Sequence, residues 1–245
     1  PFHHAQRIAI PHAIGMLHRV VRVPVHRLFQ VSAVCLELAI LLVVAATLRD
    51  LSVGGRQAMV ALAMLALNPW AFRPYLMFPE LVNDLAFVLG LAILVRGLLR
   101  GSAGLVILGQ LLASLARQTG LLLVPFAIAW VARDTKRWAG YTRARRAVTG
   151  CAVAALAGGV YLGTARIAEQ LASANENQEH LLGMLHWLAT QFDPRVLAEF
   201  LLKAAASPVL PLALVLGAAG RARNQVGGDS RVVRMLLFGS LCIWT

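Results

Sequence analysis

The chain has 245 residues, of which 59% are hydrophobic and 14% charged, with a mean hydropathy of +0.70; a soluble domain averages about 45–50% apolar and about 25% charged. That excess excludes an ordinary soluble enzyme, and the absence of any polar low-complexity tract excludes a disordered or fibrous chain. The net charge of +12 comes from 23 basic and 11 acidic residues, and the basic ones fall in short gaps between apolar runs, so the expected partner is a lipid bilayer and no nucleic acid.

Residues 1–30 hold five of the seven histidines and four arginines without a continuous apolar run. From Pro11, a suitable first helical residue, Ala13, Leu17, Val20 and Val21 share one side while His12, Gly15, His18, Arg19 and Arg22 share the other. This predicts an amphipathic helix on the membrane surface, with Arg7, Arg19, Arg22 and Arg27 placed to meet lipid phosphates. His3, His4, His12, His18 and His26 lack the spacing of a zinc site, so no metal is assigned to them.

The spans expected next are 31–48, 57–70, 83–95, 103–116, 120–132, 147–164, 196–219 and a last run from Met235. Glu37 falls inside the first and is expected to face inward and be hydrogen-bonded, with a proton-relay role as the sharper alternative. Asn68-Pro69-Trp70 stops the second, and Asp193-Pro194 caps a later one. Trp70, Trp130, Trp138 and Trp187 lie near run ends, as in an interfacial belt. Gly150, Ala154 and Gly158, with Gly159 and Gly163, form a small face suited to helix packing. Cys35, Cys151 and Cys242 sit far apart within apolar runs and read as small core residues. The chain begins at Pro1 without a Met and ends within an apolar run, so both ends read as cut.

Residues 101–132 are 32 positions interrupted only by Arg117. One straight helix of that length would be about 48 Å long, against a hydrocarbon core of about 30 Å. Two arms meeting at Arg117-Gln118-Thr119-Gly120 are therefore expected. The basic loops 133–146 and 221–234 should be cytoplasmic and the acidic stretch 166–195 outside. The fold class is all-α: a polytopic transmembrane helical bundle of about 7–8 short helices, with an outer-face amphipathic segment at 1–30 and the membrane domain at 31–245.

Two polar constellations then share the outer side. Between 68 and 84, three prolines break the helix and Arg73, Tyr75, Glu80 and Asp84 gather; two carboxylates four apart suit a polyol, a metal, or acid–base chemistry, or simply a dipole-favoured first turn. Arg117 and Gln118 form the other. An arginine in an apolar run needs a buried partner or an anion such as a lipid phosphate, unless it snorkels to headgroups. No GxSxG, P-loop, HExxH or dinucleotide motif occurs.

The run from Pro1 to Arg27, which opens PFHHAQRIAIPHAIGMLHRV, together with NPWAFRPYLMFPELVNDLAFVLGLAILVRG and LLASLARQTGLLLVPFAIAWV, resembles the pattern of GT-C type polytopic membrane glycosyltransferases over roughly residues 1–135. The resemblance implies a polyprenyl-phosphate sugar donor and transfer on the extracytoplasmic face of a bacterial plasma (inner) membrane. The family's catalytic acid lies in an outer loop that would precede Pro1, so the catalytic residue is unknown here. The substrate-binding candidates are Arg7, Arg73, Tyr75, Glu80, Asp84, Arg117 and Gln118; no cofactor is evident, with a divalent cation left open. Two other readings stand beside this one: a transporter or flippase for an anionic lipid or solute, and a non-catalytic scaffold subunit.

Overall fold

A computed structural model of the chain describes residues 9–67 and 81–171. Among the described residues the fold is all-helical, with seven α-helices, one 3-10 helix and no strand. Three helices are long and apolar enough to cross a membrane: Val25–Asp50, Val82–Arg100 and Arg143–Ile167. The expected run 196–219, the loop 221–234, the last run from Met235, residues 68–80, and Trp70, Trp187 and Cys242 lie outside the described residues.

Helix α1, Ala9–Val21, starts two residues before Pro11, which its first turn tolerates because the missing N–H has no intrahelical acceptor there. It ends at Arg22, whose φ of 55° turns the chain, and the His18 ring donates from Nδ1 to the Val23 carbonyl at 2.7 Å. The edge of α1 that meets the other helices lies beside the apolar side expected to rest on the membrane surface. Ile14 packs with Leu28 and Val82, joined by Ile10, whereas Leu17, Val20 and Val21 are exposed. The apolar arc is wide enough to meet the bundle on one edge and leave the other uncovered.

Helix α2, Val25–Asp50, buries Leu28, Ala33, Glu37, Ile40, Val44 and Leu48, a helical stripe that packs against the helix beginning at Val82, while Val31, Val34, Leu38 and Leu42 face away and are exposed. Helix α3, Gly55–Leu67, follows a turn in which Ser52 takes a φ of 54°. Helix α4, Val82–Arg100, is the centre: it is buried on nearly all sides. It stops at Gly101, left-handed at φ 65°, where the Ser102 N–H donates to the Gly97 carbonyl at 2.9 Å, the closure that satisfies a helix C-terminus.

Helix α5, Ala103–Ala116, returns antiparallel to α4. A Cβ on Gly90 would meet the Ala113 nitrogen at 2.5 Å, one on Gly97 the Val106 nitrogen at 2.6 Å, and one on Gly109 would strike the backbone of Leu94. The two backbones therefore touch along the pair's length. This is the close small-residue packing of apolar helices, and it lies on α4 and α5. On the face expected to pack, Gly150 meets the Ile128 side chain at 3.6 Å, whereas Gly158, Gly159 and Gly163 meet nothing within 4 Å among the described residues, so the expected packing is met at one end only.

After Arg117, the 3-10 helix Gln118–Leu123 leads to α6, Val124–Arg133, and residues 134–142 connect to α7, Arg143–Leu171. Thr142 accepts at its hydroxyl from the Arg145 N–H at 3.2 Å, capping α7. In the connection, Trp138 is fully buried against Tyr141, the rings 5.1 Å apart, and Trp130 is buried in the core. These two tryptophans are core residues and not an interfacial belt. Cys35 and Cys151 correct the other way, since both are exposed.

Candidate functional site

The α4–α5 register fixes what meets at one end of the bundle. Gly90 lies against Ala113, so six residues toward the start of α4 and the last turn of α5 bring Asp84 across from the segment that follows Ala116. Arg117 is extended there, with φ −148° and ψ 142°, and breaks the helix at the residue that interrupts the apolar run. Its Nε lies 3.3 Å from Asp84 Oδ1, with the side chains 6% and 13% exposed. The arginine in the apolar run thus has a buried carboxylate partner and does not snorkel away. Asp84 sits in the first turn of α4, where the helix dipole also favours its charge.

The break frees backbone groups in an apolar setting, where each must find a partner. Gln110, fully buried on α5, supplies one: its Nε2 donates to the Gly120 carbonyl at 2.7 Å and to the Ser114 hydroxyl at 3.1 Å. A Cβ on Gly120 would meet the Ala113 backbone at 2.7 Å, so the 3-10 segment folds back directly onto α5. Sequence reasoning missed Gln110 and Ser114; the available signal was two polar residues four apart, hence on one helix face, inside an uncharged run.

Helix α1 closes this end. Its Ile14 packs on Val82, which is fully buried, two residues before Asp84. At the opposite end, Asp50 meets Arg96 at 3.0 Å and Arg100 at 3.8 Å, the Arg137 carbonyl packs on Gly101, and Arg146 reaches the Ala132 carbonyl at 3.5 Å. The polar break and the basic loop 133–146 therefore occupy opposite ends of the bundle.

Of the substrate-binding candidates, the structure brings Asp84 and Arg117 together, and Gln118 opens the 3-10 helix beside them. Arg7, Arg73, Tyr75 and Glu80 lie outside the described residues. Glu37 does face inward, yet its Oε1 is buried with no hydrogen-bond partner, contrary to the expectation that it would be bonded. Chemically, the pair is a guanidinium held beside a carboxylate as a largely buried ion pair. A phosphate brought to it would meet a fixed arginine, at the cost of competing with Asp84 for its charge.

No family model, no curated protein and no solved structure matches this chain.

Proposed function

We propose that the chain is a membrane glycosyltransferase that moves a sugar from a polyprenyl-phosphate donor to an acceptor on the extracytoplasmic face of a bacterial plasma membrane. The basic end, with 133–146, lies in the cytoplasm; the end holding Asp84 and Arg117 lies outside beneath α1, with residues 1–30 as an outer-face segment and 31–245 as a helical bundle in the membrane. The observation that carries this reading is the Asp84–Arg117 pair set in a helix break within an apolar chain, the point where a lipid phosphate would meet a guanidinium. In such a transfer the acceptor oxygen bonds to the anomeric carbon as the bond to the phosphate oxygen breaks. The acceptor proton passes to a base, and the departing polyprenyl phosphate takes up the negative charge that an arginine stabilises. Arg7, Arg73, Tyr75, Glu80 and Gln118 would line the same donor site.

The test is sugar transfer from a polyprenyl-phosphate sugar in membranes carrying the full-length protein. Arg117→Lys keeps the charge but loses the planar fork, so transfer should fall at least about tenfold while the amount of folded protein in the membrane is unchanged. A second reading is favoured by the pair itself: Asp84 neutralises Arg117, as in a purely structural scaffold. The exchanged variant, Asp84→Arg with Arg117→Asp, separates the two. A scaffold keeps folding and partner assembly in the exchanged variant, whereas a donor site loses transfer in it. Lipid or solute transport without transfer would replace both by the transporter reading.

A further inference from the structure

Four acidic residues have described side chains, and three of them are paired. Asp50 meets Arg96 and Arg100, Asp84 meets Arg117, and Asp134 meets Arg137 at 3.1 Å. Glu37 is the exception. It is 8% exposed, and its Oε1 is buried without a hydrogen-bond partner. The charged and titratable groups on the elements packed against α2 are Asp84, Arg96 and Arg100 on α4, Arg56 on α3, and His12, His18 and Arg19 on α1. None of these, nor any other described arginine, lysine or histidine, forms an ion pair with Glu37.

Its depth sharpens the contrast. Along α2, Glu37 lies about 14 Å from Leu28, which packs with α1, and about 20 Å from Asp50 at the basic end. It occupies the stripe of Ala33, Ile40, Val44 and Leu48 that packs against α4. A charged carboxylate without a cation is costly at such a place, and a carboxyl group there escapes the cost by holding its proton. Among the described residues the helix that carries it is covered on one side, with Val31, Val34, Leu38 and Leu42 exposed on the other.

We propose that Glu37 is a proton-binding site in the α2–α4 seam, a carboxylic acid that keeps its proton where α2 lies against α4. Deprotonation leaves the carboxylate on Glu37 and passes the proton to water, with no other reactant. This site does not rest on the glycosyl-transfer reading, since it lies on a different helix pair from Arg117 and its test involves no sugar.

A hydrophobic carbodiimide tests it, because the reagent enters from the apolar phase and adds only to a protonated carboxyl. The full chain in detergent micelles is treated across a pH series, and each acidic residue's adduct is measured by mass spectrometry. The expected result is at least about tenfold more adduct on Glu37 than on Asp50 or Asp134 at neutral pH, falling as pH rises by about tenfold per unit once the group titrates. Because the labelling is read on the unaltered chain, it does not depend on a variant folding. An infrared band of a protonated carboxyl, present in the wild type and in Asp50→Asn but lost in Glu37→Gln, is the second expected result. Absence of adduct on Glu37 at neutral pH, an adduct yield indifferent to pH, or an infrared band that survives Glu37→Gln would each overturn the proposal.

Discussion

The two ends of α4 carry the same chemistry in different surroundings. At its first turn, Asp84 meets Arg117 with both side chains nearly out of reach of solvent. At its last turn, Arg96 and Arg100 share Asp50, and Arg100 is 51% exposed. Coulomb attraction is strong at the first end and screened at the second, but the larger difference lies in what remains when one partner is removed. Removal at the buried end strands a charge that water cannot reach; removal at the exposed end hands the survivor to solvent.

The buried end therefore gives the largest expected effect. Arg117→Ala should destabilise the folded chain by about 3–5 kcal/mol, because it leaves the Asp84 carboxylate buried and unmatched. Asp84→Asn added to it should restore a large part of that loss, since the second change removes the stranded charge. Equilibrium unfolding of the purified protein in mixed detergent micelles reads both. If the double variant is no more stable than Arg117→Ala alone, the pair is not an energetic unit, and the contrast between the two ends fails.

The break at Arg117 is legible in the sequence because two simple quantities conflict there: 32 residues of helix exceed the bilayer, and one arginine interrupts them. Asp84 is legible as a polar residue on the same side, and the structure adds that the two are partners. What is not legible is which apolar faces meet protein. In a chain of this composition the lipid-facing and protein-facing sides are equally apolar, so periodicity does not tell them apart. That is why spacing groups Leu17 and Val20 on the apolar side of α1 but does not single out Ile14, at the edge of that side, as the residue that packs on the protein. It is also why tryptophans near run ends read as a belt, although Trp138 is a core residue. Glycine spacing is only partly informative for the same reason: on α7 Gly150 meets Ile128 while Gly158, Gly159 and Gly163 meet nothing within 4 Å among the described residues, and the scattered Gly90, Gly97 and Gly109 touch backbone.

That glycine contrast gives an intermediate effect. Gly109→Val would push a branched side chain into the Leu94 backbone, where no rotamer relieves the clash, and should cost at least about 1–3 kcal/mol. Gly159→Val, in open space on α7, should change stability by less than about 1 kcal/mol. Thermal unfolding of the two variants side by side checks this. Equal losses would mean that α7 packs against something on that face.

The smallest expected effect belongs to the exposed end of α4. Asp50→Asn removes the carboxylate that Arg96 and Arg100 share, yet both guanidinium groups can then turn to water, and the new side-chain amide still offers a carbonyl oxygen to Arg96. The loss should stay below about 1 kcal/mol, as for partly exposed pairs generally. It should also shrink when salt is raised, because a solvent-reachable pair is screened within a Debye length of about 8–10 Å at ordinary ionic strength. The buried pair provides the control: the penalty of Arg117→Ala should barely respond to the same change in salt. Unfolding of both variants at low and high salt therefore separates the ends of α4 by response as well as by size. A salt-insensitive loss of several kcal/mol in Asp50→Asn would place the basic end as deep in the apolar phase as the Asp84–Arg117 end, and the proposed membrane orientation would have to be redrawn.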